Sequence, residues 1–599
     1  MCGIVGYIGS KKALPKLITG LKKLEYRGYD SAGVAYLDTH GKMQICKTVG
    51  RVSILEDKIG ANVPTNIGIG HTRWATHGEV TDINSHPHQV GKITIVHNGI
   101  LENYQELKGI LLQNGYSFKS DTDTEVACAY IDFVYKKRHS SDILDVLLEC
   151  TKVFVGSYAI VALIEDYPNQ LFVMKKDSPL IIGLGDGENY IASDISAYAN
   201  SASSYIYLKD LEIGVISCDE IQIFRDGKRC VLEIKDMNEN YQDSDKSDFQ
   251  HYMLKEIYDQ VELVNIWNNN YFQQNMIKKL PNIKKFKKIQ IIGCGTAYHA
   301  GLVGKYLLEY YNDIEVNVFI ASEYRYQKLF VNKDTLVIVI SQSGETADTL
   351  ACLKRVKELG AYTLGIVNVY DSSIARYVDE VIYTEAGIEV AVASTKAYVA
   401  QVYVLGMLAL KNAIMSEKIN CESIKQSYFK LSGLIDKMIN ESYSNVINLL
   451  KNENTIFYLG RKIDYLTMME GSLKLKEISY IHSEAMPAGE LKHGTISLME
   501  NNSKIVVMAT EEDIISKTIS NIKEVKARGA KVVLLICDNL LKYCDKSCYD
   551  EIILIPKTID LIQPIVNVIP LQMIAYEIAL NKGVDIDKPR NLAKSVTVE

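Results

Sequence analysis

The first residue with evident chemistry is Cys2, which directly follows the initiator in Met1-Cys2-Gly3-Ile4-Val5-Gly6-Tyr7. Removal of Met1, which so small a second residue permits, leaves a thiol and a free α-amine on one residue. An α-amino group titrates near ~8, well below a lysine, so part of it is neutral at cellular pH and can take the thiol proton directly or through one water. Alone, such a start more often marks a buried cysteine beside a strand. Residues farther along the chain reverse those odds.

Three compact motifs carry them: Leu24-Glu25-Tyr26-Arg27-Gly28-Tyr29-Asp30-Ser31-Ala32-Gly33, His71-Thr72-Arg73-Trp74-Ala75-Thr76-His77-Gly78 and Val96-His97-Asn98-Gly99-Ile100. Asn98-Gly99 reads by default as a tight turn. Beside a cysteine nucleophile, its side-chain amide and glycine N–H also make a two-donor oxyanion hole, each donor contributing ~3 kcal/mol to acyl transfer. Arg73 can fork onto a carboxylate and Asp123 can hold an ammonium. The plainer alternatives are a surface ion pair for Arg73 and a helix N-terminal residue for Asp123. His71, His77, His86, His88 and His97 crowd one region, but no HExxH-type spacing is present and Pro87 interrupts His86 and His88, so no metal is expected.

A second set of reactive residues lies far downstream. Val339-Ile340-Ser341-Gln342-Ser343-Gly344-Glu345-Thr346 carries three hydroxyls where a strand turns into a helix, and free amides there face a bound anion. Without a Walker lysine the pattern favours a monophosphate over a nucleotide, the alternative being a Ser/Thr-rich helix cap. Lys474 and Glu477 share one helix face, a spacing that most often gives a surface ion pair. His493 lies 16 positions beyond Glu477 (493 − 477 = 16), and Lys594 sits in a tail that would ordinarily fray.

These residues need scaffolds. The length of 599 residues suggests about four units, with 47% hydrophobic and 23% charged residues, as in a soluble globular protein. A net charge of -7 gives no support to nucleic-acid binding. The apolar stretch Ala397 to Leu410 is short and reads as a buried helix, so neither membrane span nor signal is expected and the chain looks cytoplasmic. The 12 cysteines are scattered, with only Cys544 and Cys548 close together, which predicts reduced thiols.

In the first segment, strands are predicted at Gly3 to Gly9, Ala32 to Leu37, Ile67 to His71, Ile93 to His97, Tyr158 to Ile164 and Gln170 to Lys175, with helices at Leu14 to Tyr26 and Asp123 to Lys136. Many strands and few helices predict two packed sheets with helices outside. Polar residues Tyr241 to Asp248 read as an exposed linker, leading into a helix over Phe249 to Gln260. Beyond it, Lys288-Ile289-Gln290-Ile291-Ile292-Gly293 is echoed by Ile456-Phe457-Tyr458-Leu459-Gly460, 167 positions later (460 − 293 = 167). Strands alternating with helices in both copies predict two tandem doubly wound α/β domains.

The first segment resembles the N-terminal-nucleophile glutamine amidotransferases. That resemblance implies that Cys2 attacks the glutamine side-chain amide, that Asn98 and Gly99 form the oxyanion hole, and that Arg73 and Asp123 grip the glutamine backbone groups while Trp74 gates the exit of ammonia. The second resembles the sugar isomerase (SIS) domains that bind phosphosugars. There Ser341, Gln342, Ser343 and Thr346 hold phosphate with help from Thr296, and the loop with Val392 and Ser394 covers the sugar hydroxyls. Ala297 stands where that family commonly has serine, so one phosphate contact is missing.

All segments together resemble the glucosamine-fructose-6-phosphate aminotransferases. Val261, where that family usually has proline, leaves the end of the linking helix open. The resemblance implies a cofactor-free synthesis of glucosamine 6-phosphate and glutamate from fructose 6-phosphate and glutamine, with ammonia passing through the protein, as the first step of hexosamine biosynthesis. Lys594 would condense with the sugar C2 carbonyl, His493 would assist ring opening, Glu477 would move a proton from C1 to C2, and Lys474 would supply positive charge nearby. A desolvated lysine can lose its proton to form an imine, and a carboxylate suits a carbon acid beside one. A homodimer is implied, with His299 or another residue crossing the interface. The expected division is 2–240 glutaminase, 241–275 linker and helix, 276–430 and 431–588 sugar isomerase domains, and 589–599 catalytic tail. The alternatives are an amidotransferase with another acceptor, disfavoured because no pyrophosphate-ribose loop is found, and a non-catalytic sugar-phosphate sensor, which would not need all of these side chains at once.

Overall fold

The computed structural model describes residues 2–60, 63–74, 78–138, 142–237, 246–415 and 421–597. Ala75, Thr76 and His77, the linker residues Tyr241 to Asp245, residue 240 and the last two residues of the tail lie outside the described residues. The chain forms two units, Met1–Asp243 with Ala593–Glu599, and Ser244–Leu592.

All seven residues of Gly3–Gly9 (β1) are buried, as an apolar run without alternation requires when both faces are covered. β1 runs antiparallel between Ile67–Arg73 (β2) and Glu188–Ala192 in an eight-stranded sheet. Ile93–Leu101 (β3) pairs antiparallel with Gly156–Ile164 (β4) in a seven-stranded sheet. Ile4, Ile8, Ile67, Ile69, Val96 and Val161 fill the space between the sheets. Ala13–Leu24 covers the first sheet and Asp123–Lys137 (α1) the second, which gives the expected sandwich. The strands the sequence did not announce are Met43–Val49, His88–Val90 and several short ones between 181 and 236.

The second unit begins with Tyr252–Asn268 (α2). The helix passes straight through Val261, because a residue that keeps its N–H continues the ladder that a proline would break. Two five-stranded sheets come next, parallel throughout and alike in order. In one, Lys288–Gly293 (β5) lies between Glu315–Ile320 and Thr335–Ser341 (β6). In the other, Thr455–Gly460 (β7) lies between His482–Pro487 and Lys504–Ala509.

The helices that matter to function are Thr296–Asn312 (α3), Ala347–Glu358 (α4), Lys396–Ile414 (α5), Cys421–Ile439 (α6), Ile463–Ser479 (α7) and Gln563–Lys582 (α8). α3 packs on α5, and α7 on both α8 and α3. Glycines at equivalent positions of the repeat allow this: a Cβ on Gly304 would lie 2.7 Å from Leu405, and one on Gly471 would lie 2.5 Å from Leu571. α5 is the one helix among the described residues long and apolar enough to cross a membrane, and it is almost wholly buried in the core.

One continuous core runs through this unit, taking in Met253 of α2, Ile289 of β5, Tyr428 and Leu431 of α6, Leu475 of α7 and Ile574 of α8. The expected division at 430/431 therefore falls inside α6, in the middle of shared packing rather than in a linker. Cys544 and Cys548 are buried free thiols.

Candidate active sites

Strand alternation explains the first site. On β2, Ile67 and Ile69 face the other sheet, so His71 and Arg73, two and four residues on, share that face. On β3, Val96 points between the sheets, and so does Asn98. Cys2 shares the parity of Ile4 on β1. Period-two geometry thus gathers Cys2, His71, Arg73 and Asn98 at one end of the sandwich.

The contacts agree. The Trp74 N–H donates to Cys2 Sγ at 3.2 Å, and Asn98 Nδ2 donates to the Cys2 carbonyl at 3.0 Å. Burial pushes the Cys2 thiol up, so attack requires a base to take its proton rather than spontaneous ionisation. Arg73 is 3% exposed, which excludes a surface ion pair, and its guanidinium donates to the carbonyls of Glu79 and Gly78 at 3.2 and 3.3 Å. Burial lowers its pKa, opposed by Cys2, Asp30 and Asp123 nearby.

Asp123 is both a helix N-terminal residue and part of the pocket. It opens α1 behind the Thr122 cap, whose hydroxyl accepts the Glu125 N–H at 3.3 Å. Its Oδ2 accepts the Leu101 N–H at 2.8 Å. Cys2, Arg73, Trp74, Gly99 and Asp123 line one cavity, and the Trp74 ring meets Tyr29 edge-on at 5.8 Å. Gly99 has φ +126, and a Cβ there would lie 2.0 Å from the Ser157 carbonyl oxygen.

Three of the crowded histidines pack on one another. His71 stacks on His86 at 4.1 Å, and His88 meets His86 edge-on at 5.0 Å. Burial holds all three neutral, His71 down to about 3. Among the described residues, no group of three or more His, Cys, Asp or Glu side chains is placed to hold a metal.

In the second unit, Ser341 ends β6 and is 2% exposed. Its Oγ accepts the Gly344 N–H at 3.0 Å and lies 2.9 Å from Thr346 Oγ1. Ser343 accepts the Glu345 N–H at 3.2 Å, while Thr346 precedes α4 without capping any helix N–H through its side chain. The Gln342 carbonyl accepts the N–H groups of Asn368 and Val369 at 3.1 and 3.3 Å. Val392 is buried and donates its N–H to the Asp587 carbonyl at 2.9 Å, and Ser394 is half-buried just before α5.

Thr296 begins α3, and its hydroxyl meets side chains of α7. It donates to Glu470 at 3.0 Å and accepts from Lys474 at 3.2 Å. Glu470 and Lys474 are buried, so the surface-pair alternative is excluded. Lys474 lies 2.6 Å from Glu477 and 3.3 Å from Glu470. Burial alone would raise Glu470, but Lys474, His299 and Thr296 together bring its pKa below the ordinary glutamate value. Lys474 is raised despite burial, by the two carboxylates.

His299 lies 2.8 Å from Glu470 of its own chain. Glu470 was not anticipated. Its signal was Glu470, Lys474 and Glu477 at i, i+4 and i+7, one helix stripe.

His493 is exposed at the end of the turn Glu490–His493, with no hydrogen bond to Glu477 among the described residues. Lys594 is half-buried and falls with the first unit. The start of the tail is tied to the end of α7: the Arg590 N–H donates to the Tyr480 hydroxyl at 2.8 Å, and its guanidinium lies 4.2 Å from the Tyr480 ring centre.

Comparison with known families assigns a family to each part of the chain. The glutamine amidotransferase domain family matches residues 71–200, and the SIS domain family matches 282–411 and again 449–582. The class is therefore a glutamine amidotransferase domain followed by paired SIS domains. The chain is 46% identical to a protein of Clostridium tetani named glutamine-fructose-6-phosphate aminotransferase [isomerizing], over 100% of both chains. It is 41% identical to a protein of that name from Methanosarcina acetivorans, also over 100% of both. A solved C-terminal domain of glucosamine-fructose-6-phosphate aminotransferase from Francisella tularensis is 35% identical, with a TM-score of 0.55, covering 58% of this chain and 100% of that one. The chain belongs to the isomerizing glutamine-fructose-6-phosphate aminotransferase family.

Proposed function

We propose that this enzyme converts glutamine and fructose 6-phosphate into glutamate and glucosamine 6-phosphate. The observation that carries the proposal is that one chain, alike from end to end to enzymes of that name, holds both a cysteine pocket and a phosphosugar-type cluster.

In the first unit, Cys2 attacks the glutamine carboxamide carbon while the oxyanion is met by Asn98 Nδ2 and the Gly99 N–H. The C–N bond breaks, ammonia leaves with the thiol proton, and water cleaves the thioester to glutamate. Arg73 and Asp123 hold the glutamine α-carboxylate and α-amine, and Trp74 gates the departure of ammonia.

In the second unit, Ser341, Gln342, Ser343 and Thr346 hold the sugar phosphate at the start of α4, with the Val392 and Ser394 loop over the hydroxyls. The C2 carbonyl condenses with Lys594 to an imine with loss of water, and ammonia from the glutaminase step adds to C2 and releases the lysine amine. Glu477 then moves a proton from C1 to C2 to leave the C1 aldehyde and the C2 amine, and Lys474 stabilises the charge that develops. His493 assists ring opening. Its exposure suits a side chain that completes the site of a second copy, and the reading includes a cytoplasmic homodimer.

The test is a paired assay of glutamate and glucosamine 6-phosphate formed by protein with an unblocked N-terminus. Equal amounts are expected, and Cys2→Ser should abolish both. Glutamate without amino sugar would overturn the acceptor.

A further inference from the structure

His71 lies beside the reacting residues, yet nothing in the reaction above uses it. Its Nε2 is 3.1 Å from the His97 carbonyl oxygen and 3.1 Å from Asn98 Oδ1. A carbonyl oxygen only accepts hydrogen bonds, so the nitrogen facing it must carry the proton. The other ring nitrogen, Nδ1, is buried and meets no hydrogen-bond partner among the described residues, as suits the bare nitrogen of a neutral imidazole. The His97 carbonyl therefore fixes the tautomer of His71.

That tautomer in turn fixes Asn98. An asparagine amide can be placed in either of two flips of similar shape, and only its partners decide between them. With a proton on Nε2, the amide must present Oδ1 to His71. This leaves Nδ2 on the side of Cys2, where it donates to the Cys2 carbonyl at 3.0 Å. The opposite flip would set N–H against N–H at His71 and oxygen against oxygen at Cys2. Stacking on His86 at 4.1 Å, with the rings inclined by 23°, holds the imidazole plane.

The arrangement also ties the two sheets together at the site, since His71 is on β2 and Asn98 on β3. We propose that His71 is a positioning residue for the glutaminase step: its Nε2–H locks the Asn98 amide with nitrogen toward the reacting carbonyl. This rests on the glutaminase reading of Cys2 given above. His71 touches no substrate; it acts through Asn98.

The test measures glutamate release by the full chain. His71→Leu removes the N–H at similar bulk and should lower kcat about 100-fold, the scale of one misplaced oxyanion donor, with KM for glutamine within about threefold. His71→Gln, which can still donate to Asn98 Oδ1, should recover at least about tenfold of the loss. In the Asn98→Ala background, His71→Leu should cost nothing further, because the group it positions is gone. Alkylation of Cys2 by iodoacetamide at the wild-type rate shows that the pocket is intact; if the leucine variant fails this check, His71→Asn replaces it under the same criteria. A kcat within about threefold of wild type, or a full additive loss in the double variant, overturns the proposal. Cys2→Ser separates the two failures: turnover by that variant would overturn the glutaminase reading itself.

Discussion

Replacing Lys474 with methionine keeps the length of the side chain and removes its charge. Lys474 is 1% exposed, Glu470 is fully buried and Glu477 is 19% exposed, so both carboxylates lose their shared cation in a largely dry place. Removing one partner from a buried pair costs about 3–5 kcal/mol, and part of that cost is relieved when one carboxylate binds a proton. The relief depends on pH. In the wild type, the depressed Glu470 contributes stability that is fully present above the unfolded glutamate pKa and is lost only in more acid solution. In the variant, a carboxyl raised above its unfolded value favours the folded state at low pH and loses that advantage as pH rises.

The gap between the two proteins should therefore narrow from pH 7.5 to 5.5 by up to about 2.7 kcal/mol, one proton at about 1.4 kcal/mol per unit. Groups common to both cancel. The chain has two tryptophans, so in a Trp74→Phe background the buried Trp267 of α2, whose ring lies 5.1 Å from that of Tyr403, reports the second unit alone. Urea unfolding followed by its fluorescence gives the stabilities. An equal loss at both pH values, or no recovery of stability on adding Glu470→Gln to Lys474→Met, would refute the ionisation assigned to this cluster.

Three further outcomes are expected. Gly99→Ala forces a Cβ onto the Ser157 carbonyl and displaces the Gly99 N–H; glutamate release should fall by about 10²–10³, and a loss under about tenfold would remove that N–H from the oxyanion hole. Ser341→Ala leaves the Gly344 N–H and the Thr346 hydroxyl without their partner; a charged hydrogen bond of about 1.5–3 kcal/mol translates to a 10- to 100-fold rise in KM for fructose 6-phosphate, read against unchanged sugar-free glutaminase activity. Asp464, pushed up to about 7 by burial, contributes stability that is present below its unfolded pKa and lost as pH rises through about 7. The stability of the wild type relative to Asp464→Asn should thus decline from pH 4 to 7 by up to about 1.4 kcal/mol per unit, and parallel pH profiles would contradict this.

Much of this was legible in the sequence because chemistry and periodicity coincide. Apolar runs such as Gly3–Gly9 and Thr335–Ser341 announce strands buried on both faces, and the 167-residue offset announces the duplicated sheet. Short strands such as Ile181–Leu184 carry too few residues for a period to emerge. Glu470 escaped notice because a Glu–Lys pair at i, i+4 looks the same in sequence whether water or protein surrounds it; only the packing of α3 on α7 makes it buried. The contact between His299 and Glu470 went unread for the same reason, since sequence does not say which helices touch. The division placed at 430/431 falls within α6, whose packing into the common core no sequence period announces.

That shared core has a mechanical meaning. Thr296 and His299 come from one repeat, Glu470 and Lys474 from the other, yet both helices are packed into a single interior running from Met253 to Ile586. Dense interiors resist compression, so the spacing between the two halves of the cluster is as stiff as the core itself.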